Sequence, residues 1–364
     1  MSLTSRFLLS TPRHVAVLLL VLSTTLAHTA ANAQVGMAST QLGGMPVTLV
    51  YPTVEPAKHL IRGSFEIDVA VDAPPTPGPH RLVVMSHGTG GSALPDHALA
   101  ATLARAGFVV AQPQHAGDNY ADTSKAGPAS WETRPLEISK VIDALAASPD
   151  WKPLLQLDKV GVHGMSAGGG TALVMAGARW RVLDMARHCA KHADEDAGFC
   201  FNGAADPAAK AERKAAFERA DSAPEAYRPA SVTALHGGRE GPDPRPDPRV
   251  AAVSAAVPLA AIFTLESLAA IRIPVAIVGA SRDQNLLPAF HSERVLKACG
   301  ACVALDELHG AGHFDLLAPW PADMAQRVGA TQVRGGFPEP GFDPALRQAA
   351  FDKIAAFFDR TLRR

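Results

Sequence analysis

The sequence lacks any marked excess of charge. Its 364 residues carry 34 Lys and Arg against 35 Asp and Glu, and no basic tract stands out. Nucleic acid and anionic membrane surfaces are therefore poor candidates for the main partner. The sequence also lacks a G-K-S/T or G-x-G-x-x-G pattern with an acidic partner, which argues against a phosphate-binding or dinucleotide-binding loop.

A long apolar run is lacking as well. The run over residues 15–22 is too short to cross a bilayer and ends in small polar residues. Basic residues precede it, and an A-x-A site follows at residues 31–33. This order is typical of a secretory signal peptide, so we expect residues 1–33 to be removed. The mature protein is then secreted or periplasmic, with no stable membrane span and with residues 34–364 as a single domain.

Cysteine is scarce. The four cysteines are Cys189, Cys200, Cys299 and Cys302. They allow three pairings, of which the pairing of sequence neighbours closes the shortest loops. A thioredoxin-like redox site is disfavoured because no matching βαβ pattern surrounds the C-x-x-C. Zinc is disfavoured because the two cysteine pairs are well separated and no histidines stand at ligand spacing from them. We expect neither a metal nor an organic cofactor.

The chain does contain a repeated alternation of apolar strands with amphipathic helices. Strands are predicted over residues 45–51, 64–71, 81–85, 107–111, 160–162, 250–257, 274–279 and 302–305, and helices over residues 94–106, 134–147, 172–178, 265–271, 286–298 and 347–362. Such alternation produces βαβ crossovers and a mainly parallel sheet with helices on both faces. The predicted fold class is therefore α/β, with a doubly wound sheet.

Residues 183–249 interrupt this pattern. They are charged, rich in Pro and Gly toward their end, and include one plausible amphipathic helix over residues 207–220 but no signal for a central strand. We interpret them as an insertion over the sheet edge, a cap or lid with the Cys189–Cys200 loop at its base. The alternative is a solvent-exposed excursion without a function.

A serine between two glycines marks the turn after one predicted strand, in Gly164-Met165-Ser166-Ala167-Gly168. Such a turn holds its apex in a strained conformation, and its glycines lack the Cβ atoms that would collide as helix and strand close. The Ser166 hydroxyl is then presented above the sheet edge. The pentapeptide alone is a weak signal, so its strand-turn-helix context carries the prediction.

A serine hydroxyl is a weak nucleophile near neutral pH, so it needs a base, and the base needs an orienting partner. In a doubly wound sheet these groups follow the carboxyl ends of strands. Asp283 follows the strand over residues 274–279, and His313 follows the last strand. We therefore predict Ser166 as nucleophile, Asp283 as orienting acid and His313 as base, in the chain order of an α/β-hydrolase.

Other residues compete for the two partner positions. Asp306 lies within or at the end of the last strand, and Asp315 is very close in sequence to the base that it would orient. His309 follows the last strand immediately, and His291 is a further rival base. The remaining histidines near strand ends are expected to make structural hydrogen bonds: His87, His115 and His163.

A glycine-rich turn follows the strand over residues 81–85. It reads His-Gly-Thr-Gly-Gly over residues 87–91, and glycines allow backbone N–H groups to approach a substrate closely. We predict that the backbone N–H groups of Thr89 and Ala167 together bind a developing oxyanion.

Several phrases together carry a family resemblance. They lie at residues 84–91, 110–115, 134–135, 164–170, 273–279 with Asp283, and 310–314. With them the sequence resembles the α/β-hydrolase superfamily over residues 47–358, and more narrowly the branch that joins dienelactone-hydrolase-like proteins to plasma-type platelet-activating factor acetylhydrolases. Dienelactone hydrolases proper use a cysteine nucleophile, so the serine here implies ordinary ester hydrolysis.

The resemblance implies the same triad and oxyanion hole. With the signal peptide, the predicted protein is a secreted serine carboxylic ester hydrolase that forms an acyl-enzyme intermediate. Its expected substrate is a small-molecule or lipid-like ester. One alternative is a polyester-acyl or phospholipid-acyl hydrolase or acyltransferase with the same triad. The other is a catalytically silent binding protein on a hydrolase scaffold.

Overall fold

The structure is a computed structural model that describes residues 34–63, 65–202, 204, 206–224, 245–319, 321–323, 326 and 338–363. The predicted signal peptide, residues 1–33, lies outside the described residues. The described residues form one compact unit. Among the helices of the described ranges, none combines the length and the apolarity that a bilayer crossing requires.

The described strands form one sheet. In chain order they are β1 (Gln34–Leu42), β2 (Met45–Thr53), β3 (Lys58–Arg62), β4 (Phe65–Val71), β5 (His80–Ser86), β6 (Phe108–Pro113), β7 (Leu155–Met165), β8 (Val250–Ala256), β9 (Val275–Ala280) and β10 (Cys302–Leu308). Their order across the sheet is β10-β9-β8-β7-β5-β6-β2-β1-β4-β3. All neighbours from β10 to β6 are parallel, whereas β2 is antiparallel to both β6 and β1.

Helices cover both faces of this sheet. They are α1 (His97–Arg105), α2 (Pro128–Ala147), α3 (Ala167–Met175), α4 (Val182–His192), α5 (Ala197–Cys200), α6 (Pro207–Ser222), α7 (Leu265–Ala269), α8 (Ser292–Ala298) and α9 (Pro344–Thr361). Buried side chains of α2 and α3 belong to one apolar core, and those of α1 and α9 belong to a second. The apolar central strands contribute to both cores, which is the doubly wound arrangement that the sequence predicts.

Some element boundaries differ from the predicted ones. Helix α2 begins at Pro128, six residues before the predicted start, because proline is well suited to the first helical turn although the apolar periodicity is visible only later. Helix α8 begins at Ser292 rather than at residue 286. Strands β1 and β3 were not predicted. Most of β3 is exposed, and its sequence shows no alternation of apolar and polar residues that would indicate a strand.

The insertion within residues 183–249 contains three described helices, α4, α5 and α6. A disulfide between Cys189 and Cys200 joins α4 to α5, and a second disulfide joins Cys299 to Cys302. Both are the local pairings that close the shortest loops. Residues 225–244 of the insertion lie outside the described residues.

The parallel strands β5, β7, β9 and β10 all end at one edge of the sheet. The loops at that edge contain the glycine-rich turn after β5, Ser166 after β7, Asp283 after β9 and His313 after β10. Among the described strands, β8 alone lies between β7 and β9. The topology therefore brings the predicted groups to one side of the molecule although they are far apart in sequence.

A buried carboxyl group at the start of α1 couples stability to pH. Asp96 is 8% exposed, its side chain makes no capping hydrogen bond, and desolvation raises its pKa to about 7. An acid with a raised pKa holds its proton more tightly in the folded state than in the unfolded chain. The folded state therefore loses stability as pH rises from about 4 to about 7.

We expect Asp96→Asn to stabilise the protein at pH 8 by on the order of 2–4 kcal/mol and to have little effect at pH 5. Asparagine has nearly the same shape as aspartate, and no capping hydrogen bond of the Asp96 side chain is lost, so the helix start is preserved. Urea unfolding at both pH values measures the change, with the exposed Asp150→Asn as the matched control. An equal effect at both pH values would contradict a titrating Asp96.

Candidate active site

Ser166 occupies a strained turn between β7 and α3. Its backbone angles are φ 59° and ψ −120°, which a non-glycine residue rarely adopts. A Cβ atom on Gly164 would lie 1.9 Å from the carbonyl oxygen of Gly168, and one on Gly168 would lie 1.9 Å from the carbonyl oxygen of Ser86. Only glycine fits at these two positions, as the sequence predicts.

The turn holds the backbone of Ser166 on both sides and leaves its side chain accessible. The Ser166 N–H donates to Ala256 O at 3.0 Å, and its carbonyl oxygen accepts from Leu259 N–H at 3.0 Å. Within residues 160–178, every residue except Ser166 is buried. The hydroxyl is thus the part of this segment that a ligand can reach.

His313 and Asp283 form a buried pair at the same edge of the sheet. The distance from His313 Nδ1 to Asp283 Oδ2 is 2.7 Å, and the two residues are 5% and 1% exposed. The other carboxylate oxygen of Asp283 accepts backbone N–H bonds from Asn285 at 2.8 Å and from Leu286 at 2.9 Å. With Nδ1–H donated to Asp283, the neutral imidazole keeps Nε2 unprotonated and able to accept a proton.

The structure gives no hydrogen bond between the described side chains of Ser166 and His313. It pairs His313 with Asp283. Ser166 follows β7, which lies two positions in the sheet from β9, the strand before Asp283. Hydrogen bonds between a nucleophile and its base are often long in the free enzyme and shorten in the complex with substrate.

The rival acids have other partners. Asp306 lies on β10 and pairs with Lys353 at 2.8 Å. Asp315 accepts backbone N–H bonds from Gly312 at 2.8 Å and from Glu339 at 3.1 Å. These contacts give both carboxylates a structural role.

The rival bases differ from His313 in their surroundings. His309 is exposed. His291 is 1% exposed and uses both ring nitrogens, because Nδ1 accepts from Ala260 N–H at 2.9 Å and Nε2 lies 3.0 Å from Asp196. A backbone N–H can only donate, so Nε2 of neutral His291 carries the proton that is donated to Asp196.

Asp196 ties the insertion to the loop that follows Asp283. It also accepts from His188 at 2.8 Å, and a Cβ on Gly198 would lie 2.2 Å from the carbonyl oxygen of Gln284. Burial raises the pKa of Asp196, but hydrogen bonds from His188 and His291 outweigh it and lower the pKa to about 2. Helix α5 therefore packs tightly on the residue next to Asp283.

One group of potential metal ligands occurs within the described residues. It consists of His188, Asp196 and Cys200, whose ligand atoms all lie within 4.8 Å of one another. The sulfur of Cys200 is bonded to Cys189 and therefore offers no thiolate. This group does not have the ligands of a zinc site.

The glycine-rich turn after β5 lies directly against the serine turn. A Cβ on Gly88 would be 3.5 Å from Ser166 Cβ, and Gly91 N–H closes the turn by donating to Gly88 O at 3.1 Å. The Thr89 N–H has no acceptor among the described residues. The N–H of Ala167, the first residue of α3, has no partner inside the helix. The two predicted oxyanion donors are thus available to a ligand.

Two buried charged residues beneath this turn were not predicted as part of the site. Arg134, on α2, is 0% exposed, and its guanidinium lies 2.7 Å from the Asp118 carboxylate. A signal for Arg134 exists in the sequence, because it falls on the same helical face as the apolar Ile138 and Val141. A charged residue in an apolar stripe indicates a buried polar contact.

A cavity of about 810 Å³ opens beside the same turn. Gly90 and Gly91 form part of its wall, and Arg62 is its only charged residue within the described part of the chain. The remaining wall is mainly apolar, with Met37, Val47, Phe65, Leu94 and Pro95 among its residues. The cavity suits an uncharged, largely apolar group.

The structure is similar to that of an esterase. A solved ferulic acid esterase from Streptomyces cinnamoneus matches with a TM-score of 0.56 and 20% sequence identity, over 93% of this chain and 92% of that chain. With its sheet order, this likeness establishes an α/β-hydrolase fold. No protein-family model and no curated protein sequence matches the chain. The resemblance to the dienelactone hydrolase and acetylhydrolase branch stays a prediction.

We expect Gly168→Ala to destabilise the protein by about 1–3 kcal/mol or more, because the added methyl group would collide with the backbone of Ser86. Gly300→Ala is the matched control, since nothing lies within 4 Å of its added Cβ. Chemical unfolding of both variants measures the difference. Equal stability of the two variants would contradict the close packing of α3 on the end of β5.

Proposed function

We propose that the protein is a serine hydrolase that cleaves carboxylic esters, with Ser166 as nucleophile, His313 as base and Asp283 as orienting acid. The observation that carries the proposal is the strained, accessible Ser166 turn, at the same sheet edge as the buried His313–Asp283 pair. The structural similarity to a ferulic acid esterase supports the reaction class. The chain order Ser, Asp, His is the order expected for an α/β-hydrolase fold.

In this mechanism Ser166 Oγ attacks the ester carbonyl carbon while His313 Nε2 takes its proton. The carbonyl oxygen becomes an oxyanion that accepts hydrogen bonds from the N–H groups of Thr89 and Ala167. The alcohol leaves with the proton from His313, and an acyl group remains on Ser166. Water then attacks the acyl-enzyme with His313 again as base, which releases the acid and restores the serine.

The substrate we propose is a small or lipid-like ester with an uncharged apolar group. The mainly apolar cavity begins at Gly90, two residues beyond Gly88, which lies against Ser166. Because consecutive Cα atoms are about 3.8 Å apart, the cavity starts within roughly 8 Å of Gly88. One arm of an ester held by the oxyanion donors can extend into it.

We also propose that the mature protein is exported and that the insertion with α4, α5 and α6 is a cap. Two disulfides support export, because disulfides form and persist in oxidising compartments. The contact of α5 with the loop after Asp283 supports a cap that is fixed at its base.

We expect a fluorophosphonate probe to label the wild-type protein and to leave Ser166→Ala unlabelled, because only an activated serine attacks the phosphorus centre. Hydrolysis of p-nitrophenyl esters of increasing chain length, followed by absorbance, gives the rate and the preferred acyl length. Matched thermal unfolding of Ser166→Ala confirms that the variant is folded. Failure of the intact protein to label would favour a silent binding protein on a hydrolase scaffold.

We expect Asp283→Asn to lower kcat by about 10⁴-fold, because the amide favours the wrong tautomer of His313. Asp306→Asn, which removes a surface partner of Lys353, is the matched control and is expected to retain activity. Steady-state kinetics on a short p-nitrophenyl ester measure both variants. A control as inactive as Asp283→Asn would contradict the assignment of the acid.

A further inference from the structure

We infer that Arg134, with Asp118, is a positioning residue that fixes the glycine-rich turn after β5 so that its Thr89 N–H is directed toward the reacting oxygen. This inference rests on the proposed function, because it concerns the oxyanion donors of the same site. It adds a residue on α2 whose side chain contacts the backbone of the turn.

Arg134 contacts the turn through two backbone carbonyl groups. Its Nη1 donates to His87 O at 2.7 Å, and its Nη2 donates to Gly88 O at 3.3 Å. The guanidinium is planar and presents its donors in a fixed fork, so the two carbonyls are held in a fixed relation to each other. Arg134 is 0% exposed, which removes water as a competitor for these bonds.

Asp118 contacts the same turn and holds the guanidinium in place. Its Oδ2 accepts from Arg134 Nη2 at 2.7 Å and from Ser130 Oγ at 2.6 Å. Its Oδ1 accepts from Gly90 N–H at 2.9 Å. The ion pair is 0% exposed on both sides. Arg134 and Asp118 thus hold the peptide groups before and after Thr89.

A third group holds the carbonyl of Gly88. His87 Nε2 accepts from His115 N–H at 3.3 Å, so neutral His87 carries its proton on Nδ1, which donates to Gly88 O at 2.7 Å. Burial, with the neighbouring His115 and Arg134, lowers the pKa of His87 well below its usual value and keeps it neutral. Gly88 O therefore accepts bonds from His87, Arg134 and Gly91 N–H.

The direction of the Thr89 N–H follows from these bonds. In a trans peptide group the C=O and the N–H point in opposite directions. The carbonyl of Gly88 and the N–H of Thr89 belong to one peptide group, and that carbonyl is held toward Arg134. The Thr89 N–H consequently points away from Arg134. It has no acceptor among the described residues.

The cost of burying this ion pair indicates a role beyond stability. Replacing a buried ion pair with apolar residues is often neutral or stabilising, so such a pair is weak evidence for stabilisation. Here four hydrogen bonds of the pair go to the backbone of residues 87, 88, 90 and 118. Preorganised backbone donors are worth more than flexible ones, because no reorganisation is needed as charge develops.

The test is Arg134→Lys, measured as kcat per active site after titration with the fluorophosphonate probe. We expect kcat to fall by about 10²–10³-fold with a much smaller change in KM, as for the loss of one oxyanion donor. We also expect the affinity for a boronic acid, which forms a tetrahedral adduct with the serine, to fall in parallel with kcat/KM. Affinity for the carboxylic acid product should change little.

Arg81→Lys is the matched control. Arg81 lies at the opposite end of β5 and pairs with Asp359 at 2.8 Å, so its replacement removes a guanidinium ion pair without touching the turn. We expect unchanged kcat per titrated site in this control. A purely structural role of Arg134 would lower the number of titrated sites and leave kcat per site unchanged, which would overturn the inference.

Ser130→Ala provides a milder variant if Arg134→Lys does not fold. It removes one hydrogen bond to Asp118 and leaves the ion pair in place. We expect kcat per titrated site to fall by roughly threefold to tenfold, in line with the loss of about 1 kcal/mol of positioning. An unchanged kcat would overturn the inference. A wild-type protein that neither labels nor hydrolyses esters would instead contradict the proposed function.

Discussion

The close approach of three backbone segments is the constraint on which this structure depends. Gly164 and Gly168 bring the end of β7 and the start of α3 into contact with Ser86 at the end of β5, at distances that exclude any Cβ atom. This contact holds Ser166 at its positive φ and brings the turn after β5 against it. The accessible Ser166 hydroxyl is a consequence of this packing.

The proposed site combines an accessible serine with a rigid, buried support. Asp283 is held by two backbone N–H groups as well as by His313, and α5 of the insertion packs directly on the next residues. Beneath the turn, Arg134 and Asp118 hold backbone groups on both sides of Thr89. Function in such an arrangement depends on groups that never touch the substrate, because they fix those that do.

Sequence motifs do not predict the supporting residues Arg134 and Asp118. The G-x-S-x-G pattern and the strand-end positions predicted Ser166, Asp283 and His313 without any coordinates. Arg134 lies within one of the phrases that carry the family resemblance, and Asp118 lies outside all of them. Their partners are backbone atoms, and the sequence records no residue preference for a carbonyl group that any residue carries.

The sequence by itself determined the α/β class, most of the strands and helices, and the serine turn, because apolar periodicity and the need for glycine at a close contact are local properties. Tertiary structure decided the rest. It joined His313 to Asp283 across residues that are distant in sequence, and it occupied both nitrogens of the rival His291. It also added the exposed strand β3, which has no apolar pattern. Pairings between distant residues depend on how the whole chain packs, so no local pattern specifies them.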